Sequence, residues 1–77
     1  MADGVLFLRV DFGPTPGVQT TATLERGPSS TGPWTFLRDV PLVSEVGATY
    51  DTTMPLGEEV WYRWTGNPGG VFIIQGP

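Results

Sequence analysis

The side chains that could do chemistry in this chain are its carboxylates, because the sequence contains no histidine and no cysteine. Glu58 and Glu59 are adjacent, and adjacent side chains in a strand point to opposite faces, so this pair is not expected to share a proton or a metal ion. Asp39, Glu45 and Asp51 are well separated and match no calcium-binding loop. We therefore expect the acidic residues to be solvated surface, and we predict no catalytic or metal site.

The basic residues narrow the chemistry further. All of them are arginine: Arg9, Arg26, Arg38 and Arg63. The chain therefore lacks the lysine amine as well as the histidine imidazole and the cysteine thiol. General bases and nucleophiles that work near neutral pH usually come from those three groups. A phosphate-binding loop is also absent, since there is no lysine to complete it. The prediction is a protein that is not an enzyme and binds no cofactor. A catalytic function would need two carboxylates brought together from different strands.

Length and charge exclude further classes. The 77 residues make one small domain, residues 1–77, which must be held by packing or by assembly because it has no cysteine for a disulfide. Its net charge of −4 disfavours binding to a phosphate backbone, so no nucleic-acid partner is expected. The start lacks basic residues, and the apolar run at residues 5–8 is too short for a signal peptide or a membrane span. We expect no membrane partner, and a cytoplasmic location unless a larger particle carries the protein out.

The elements that must position any site are short strands. Alternating apolar residues between glycine and proline breakers predict strands at residues 5–12, 18–26, 34–38, 48–51 and 71–75, and another within 56–64. Residues 39–47 are predicted to be an edge or a crossover, because Pro41 interrupts any ladder. Six short strands with tight turns indicate an all-β protein, either a small antiparallel β-sandwich or a small barrel. The side chains expected in the core are Leu8, Val10, Leu24, Tyr62 and Trp64.

Two sequence features favour the sandwich. Leu56 precedes Tyr62 by the spacing of a tyrosine corner, in which the phenol hydroxyl bonds to the backbone upstream. Residues 24–26 and 32–35 also form a hairpin with a charged strand end, a Ser/Gly turn and a tryptophan, and Phe12 is followed by prolines. Together these features resemble a fibronectin type III (Ig-like) module. The resemblance implies strands B, C, C′, E, F and G, with strand A lacking and Phe12 in place of the usual tryptophan.

A narrower resemblance concerns the motif Leu37-Arg38, Tyr50-Asp51, Met54-Pro55-Leu56-Gly57 and Tyr62-Arg63. It is similar to the fibronectin-like domains of tail and other virion proteins of phages that infect actinobacteria. This implies a structural module of a virion, in the tail or on the head surface, that docks on other virion proteins.

The residues expected to contact a partner are Trp34, Trp61, Arg63 and Ile73, because tryptophan and arginine are enriched at interface hot spots. The alternative for these residues is a purely structural stack of Arg63 over Trp61 or Trp34. Without a strand A, residues 5–11 form a candidate pairing edge for a second copy or another protein. A different class, a carbohydrate-binding module, would use Trp34, Trp61 and Phe36 as coplanar aromatic rings.

Overall fold

The computed structural model describes residues 4–13, 19–67 and 69–77 and contains strands but no helix in those ranges. The strands are β1 (Gly4–Asp11), β2 (Thr21–Gly27), β3 (Thr35–Pro41), β4 (Val46–Met54), β5 (Trp61–Asn67) and β6 (Val71–Gln75). All pairings between them are antiparallel. The prediction of a small all-β sandwich is confirmed.

The strands form two sheets. β1 and β4 make a two-stranded sheet, and the second sheet has four strands in the order β3-β2-β5-β6. β2 and β3 form the predicted hairpin, and β5 pairs with β2 on one side and with β6 on the other. Two antiparallel sheets packed in this way are compatible with the small β-sandwich predicted from the sequence.

The core lies between the sheets and consists mainly of the inward-facing residues, which alternate with outward-facing ones along each strand. Trp64, Tyr62 and Leu24 are its largest fully buried side chains. Leu8 and Val10 from β1 are buried as well, so all five predicted core residues are confirmed. The other buried apolar residues are Phe12, Ala22, Val40, Met54 and Val60.

Strand bounds differ from the prediction most in β3, β4 and β5, and β2 begins at Thr21, later than predicted. β3 continues through Val40 to Pro41, which a sheet edge tolerates because a proline there leaves no ladder partner unsatisfied. β4 is longer than predicted at both ends. β5 runs on through Gly66, where a turn was predicted. This glycine lets the Gly69 backbone lie close to the strand, because an added Cβ would be 2.7 Å from the Gly69 carbonyl oxygen. The predicted start of the second strand, Val18, lies outside the described residues.

Four strands have an edge without a partner strand in the described part of the chain: β1, β3, β4 and β6. β3 contains a bulge, since Leu24 pairs with Arg38 and Glu25 pairs with Phe36, which leaves Leu37 as the extra residue. The β1 ladder is irregular between Gly4 and Leu6. β6 pairs without irregularity and is exposed at every residue.

Candidate functional site

The four predicted contact residues lie on one face of the four-stranded sheet, the face turned away from the core. Arg63 pairs with Ile73 across β5 and β6, and Trp61 lies two residues from Arg63 on the same side of β5. Trp34 precedes β3 and reaches this face, because its ring lies near the guanidinium of Arg63. We call these four residues the outer-face patch.

Arg63 is the centre of the patch and is held on two sides. Its Nε and one terminal nitrogen lie 2.8 and 2.7 Å from Oε1 of Glu25. Its guanidinium carbon lies 5.0 Å from the centroid of the Trp34 ring, within the range of a cation–π contact. The stack of Arg63 over Trp34 anticipated as the structural alternative is therefore present, and it orients the arginine.

The two tryptophans flank a glycine. Gly27 pairs with Trp61 across β2 and β5, and a Cβ added to Gly27 would lie 3.1 Å from Cε3 of Trp34. The lack of a side chain at Gly27 thus lets the Trp34 ring lie against the sheet. The indole N–H of Trp61 donates to Glu59, which gives one of the two adjacent glutamates a structural partner. Trp34 and Trp61 are each partly buried.

Ile73 is the most accessible member of the patch, with 44% of its surface exposed. It ends a row of neighbours that crosses all four strands: Phe36, Glu25, Arg63 and Ile73. Phe36, at the other end of the row, is 57% exposed. The outer face therefore has an ion pair at its centre and apolar side chains at both margins.

The predicted pairing edge, residues 5–11, belongs to β1. Its inner residues are covered by the core, whereas Val5 and Phe7 are exposed on the outer face of the two-stranded sheet. Phe7 pairs with Tyr50, and their ring centroids are 5.2 Å apart. Phe7 thus has a cross-strand partner, and Arg9 lies 3.7 Å from Asp11 on the same side.

A polar cluster that was not predicted lies between the sheets. Asp51 is only 2% exposed, and its Oδ2 accepts hydrogen bonds from the Tyr62 hydroxyl at 2.6 Å and from Arg26 at 2.8 Å. Its Oδ1 accepts from the backbone N–H and the hydroxyl of Thr53, at 2.9 and 3.1 Å. The expectation that Asp51 is solvated surface was wrong. A buried carboxylate is tolerated here because both of its oxygens are hydrogen-bonded and a cation neutralises it.

The cluster also corrects the proposed tyrosine corner. The Tyr62 hydroxyl was expected to bond to the backbone, but its acceptor is the Asp51 side chain. An ionised carboxylate is a stronger acceptor than a neutral carbonyl group. Leu56, the other residue of the proposed corner, is exposed. A sequence signal did exist, since alternation from Ala22 and Leu24 places Arg26 on the core face, where an arginine requires an acidic partner.

The cluster shifts the ionisation of two groups. Burial by itself raises the pKa of Asp51, but the hydrogen bonds from Tyr62, Thr53 and Arg26, with the charge of Arg26, hold this pKa below its ordinary 3.8. Burial raises the pKa of Tyr62 well above its ordinary 10.0, and the hydrogen bond to Asp51 and the charge of Asp51 add to the rise. Ionising Tyr62 would place a second negative charge beside a buried carboxylate.

We expect the stability of this domain to fall as the pH rises above about 10. Unfolded Tyr62 ionises near its ordinary pKa of 10.0 while folded Tyr62 keeps its proton, so the loss approaches about 1.4 kcal/mol per pH unit. Histidine is the side chain whose ordinary pKa lies between about 5 and 8, and the chain contains none, so we expect the stability to vary little across that range. Urea unfolding measured at several pH values above about 10 gives the slope of this alkaline loss of stability.

Tyr62→Phe is the matched variant for this pH dependence. At neutral pH it should lower the free energy of unfolding by about 1.5–3 kcal/mol, because the lost hydrogen bond has a charged acceptor. Above about pH 10 the variant should lose less stability per pH unit than the unaltered protein. An equally steep alkaline loss in Tyr62→Phe would contradict the role given to the Tyr62 hydroxyl.

A shallow groove of about 160 Å³ lies beside the cluster. It is smaller than the roughly 300–1,000 Å³ of typical small-molecule sites. Its lining residues are Arg26, Gly27, Pro28, Thr35, Pro55, Glu58, Glu59 and Val60. Within residues 4–13, 19–67 and 69–77, no group of three acidic side chains is placed to hold a metal ion, and no helix is long and apolar enough to cross a membrane.

Searches with this chain against protein-family models, curated proteins and solved structures found no match. The fold and the geometry of the outer face are therefore the observations on which a function is proposed.

Proposed function

We propose that this domain is a non-enzymatic structural and interaction module that docks on other proteins of a larger assembly through the outer-face patch. The observation that carries the proposal is the exposed Ile73 beside Arg63, next to two tryptophans on the same face. Apolar side chains exposed around an aromatic and arginine cluster are typical of protein interaction sites.

The rigidity of Arg63 supports this proposal. Glu25 and the Trp34 ring fix the guanidinium before any partner arrives. Docking then costs less conformational entropy than it would with a mobile arginine, because the side chain is already ordered. Glu25 also supplies an opposite charge to Arg63, so a partner need not place an acid directly opposite.

The assembly we propose is a phage virion, in the tail or on the head surface, and this rests on the resemblance of the short motif. Two parts of that motif, Tyr50-Asp51 and Tyr62-Arg63, are joined by the hydrogen bond from Tyr62 to Asp51. The bond gives a physical reason for both parts to occur in one chain. Other virion proteins, including further copies of this chain, would be the partners.

A carbohydrate- or cell-surface-binding module is the second candidate. Trp34, Trp61 and Phe36 share the outer face, and Gln75, which pairs with Trp61, provides an amide for sugar hydroxyls. The ring of Trp34 already faces Arg63, however, which leaves Trp61 and Phe36 for a sugar. A glycan array probed with the purified domain tests this candidate, and reproducible binding that Trp61→Ala abolishes would favour it over protein docking.

Trp61→Ala is expected to reduce incorporation of the chain into phage particles by at least about tenfold, as the loss of a hot-spot side chain weakens docking. Particles would be purified by density gradient from a phage carrying the variant gene, and the chain quantified by mass spectrometry against a major capsid component. Thr65→Ala is the control, because Thr65 lies on the same strand and face but outside the patch.

Two results would overturn the proposal. Absence of the unaltered chain from purified particles would exclude the virion role. Equal incorporation of Trp61→Ala and the unaltered chain would exclude docking through this patch. Circular dichroism of the purified variant must show the same β spectrum, so that loss of incorporation reports docking rather than unfolding.

A further inference from the structure

β6 has the composition of a central strand but lies at the edge of its sheet. The strand is apolar on both faces, and between 39 and 56% of the surface of each apolar residue is exposed: Val71, Phe72, Ile73 and Ile74. Strands that are apolar on both faces are normally covered on both faces. Along its hydrogen-bonding edges, β6 pairs with β5 on one edge, and its other edge has no partner strand among the described residues.

The other strand edges carry features that discourage further pairing, and β6 carries none. Edge strands in native proteins are protected by charges, proline or bulges. β3 has Arg38, Asp39, Pro41 and a bulge, and β1 has Arg9 and Asp11. β4 has a break in its register between Asp51 and Met54. Within β6 there is no charged residue, no proline and no bulge.

The hydrogen-bond pattern shows which backbone groups of β6 point outward. Gly66 donates to Gly70 at one end of the β5–β6 ladder, and Gly76 donates to Val60 at the other end. Bonded pairs alternate along an antiparallel ladder, so Phe72 and Ile74 bond to β5 as well. The N–H and C=O groups of the alternate residues, Val71, Ile73 and Gln75, are directed away from the sheet.

We propose that β6 pairs antiparallel with β6 of a second copy of this chain, about a two-fold axis beside Ile73. Ile73 of the two copies would then exchange hydrogen bonds, and Val71 would do so with Gln75 of the second copy. Phe72 would lie opposite Ile74 of the second copy on the inner face. The two four-stranded sheets become one continuous sheet, and β6 becomes a central strand.

Charge favours a second copy as the occupant. Each copy has a net charge of −4, so a self-pairing surface has to be one that brings no like charges together. β6 is uncharged, and the nearest charged side chain in the row is Arg63, which Glu25 neutralises. The two Arg63 residues would be three strand spacings apart, or about 14 Å, which exceeds the screening length of about 8 Å at physiological salt.

This pairing goes beyond the proposed function, since it requires neither a virion nor an outer-face partner. It uses the backbone edge and both faces of β6, whereas docking through the outer-face patch uses one face. It also differs from strand addition at β1, the edge singled out from the sequence. The two edges lie in different sheets.

Ile73→Pro tests the backbone part of the proposal. Proline removes the outward N–H of residue 73 but leaves the bonds to β5, which Phe72 and Ile74 make, and edge strands tolerate a proline whose N–H would face outward. Sedimentation equilibrium of the full chain should show a dimer for the unaltered protein and a monomer for Ile73→Pro, with matching circular dichroism spectra.

Ile73→Lys and Phe36→Lys form a matched pair that keeps the test valid if the proline variant fails to fold. Both residues lie on the outer face in the same row, at opposite margins of the sheet. Lysine at position 73 would place like charges opposite each other across the axis and raise the dimer dissociation constant by at least about tenfold. Lysine at position 36 should leave the dimer unchanged.

Hydrogen exchange checks the strand pairing directly. The N–H of Ile74 should be protected at every protein concentration, and the N–H of Ile73 only where the dimer forms. A monomer at all concentrations up to the solubility limit would overturn the proposal. So would a dimer that survives Ile73→Lys, or one that Phe36→Lys dissociates equally, since these results would place the contact elsewhere.

Discussion

Asp51→Ala is expected to lower the free energy of unfolding by about 3–5 kcal/mol, because it removes the anionic partner of Arg26 and the acceptor of the Tyr62 hydroxyl. Arg26 would keep only its hydrogen bonds to the carbonyl and the hydroxyl of Thr53. A domain of this length has a total stability of only about 4–12 kcal/mol. The variant should therefore melt more than about 12 °C below the unaltered protein, or fail to fold. Thermal and urea unfolding followed by circular dichroism measure the difference.

Asp39→Ala is the matched control. Asp39 is exposed, and it accepts one hydrogen bond, from the Thr23 hydroxyl at 2.7 Å. Removing it should cost less than about 1 kcal/mol, as is usual for a solvated surface bond. Equal losses in the two variants would show that burial and the charged partner of Asp51 contribute nothing.

The acid range separates the charge of Asp51 from its packing. Its pKa is held below 3.8 in the folded state, so the stabilisation is present above about pH 4 and is lost as the pH falls through the folded value. The stabilities of the unaltered protein and Asp51→Ala should therefore converge as the solution is acidified. A difference that persists undiminished in strong acid would mean that shape, rather than charge, accounts for the loss.

The apolar pattern was enough to predict the core. Val10 and Leu24 have polar neighbours on both sides, and Leu8 lies two residues before Val10 on the same face. Burial of every second residue in a half-covered sheet follows from strand geometry alone. The position of β6 in the chain was also predicted to the residue, because glycines and a terminal Gly-Pro enclose an uninterrupted apolar run.

The buried polar cluster could not be predicted in the same way. Its members come from three strands, and Asp51 follows Thr49 on the inward side of β4, so hydrophobic alternation gives no signal there. Placing Asp51 against Tyr62 requires the packing of one sheet on the other, which depends on all the strands together. Only Arg26 indicated that the core contained a charge.

The outer face was predicted in part. The pattern of β5 correctly placed Trp61 and Arg63 on one side, and Ile73 joined them once β6 paired with β5. The sequence did not decide whether Arg63 stacks on Trp34 or on Trp61. That choice depends on the conformation of the loop that carries Trp34 over Gly27. A loop conformation of this kind leaves no periodic signal in the sequence.

Trp64→Ala is expected to cost about 3–5 kcal/mol, comparable to the loss of Asp51 but for a different reason. Trp64 is 1% exposed and, with Tyr62 and Leu24, fills the space between the sheets. Its removal would leave a cavity that the neighbouring strands, tied by ladders on both sides, cannot close by moving together. Urea unfolding gives the loss, and the slope should stay constant if folding remains two-state.

Trp61→Ala is the internal comparison, since Trp61 lies on the same strand but on the outer face. It should cost well under half as much, because water already reaches its ring. Trp64→Phe should also cost less than Trp64→Ala, since most of the ring volume remains and the indole N–H of Trp64 bonds to none of the described residues. If Trp61→Ala proved the more destabilising alanine variant, the assignment of the two faces of β5, and with it the outer-face patch, would have to be reversed.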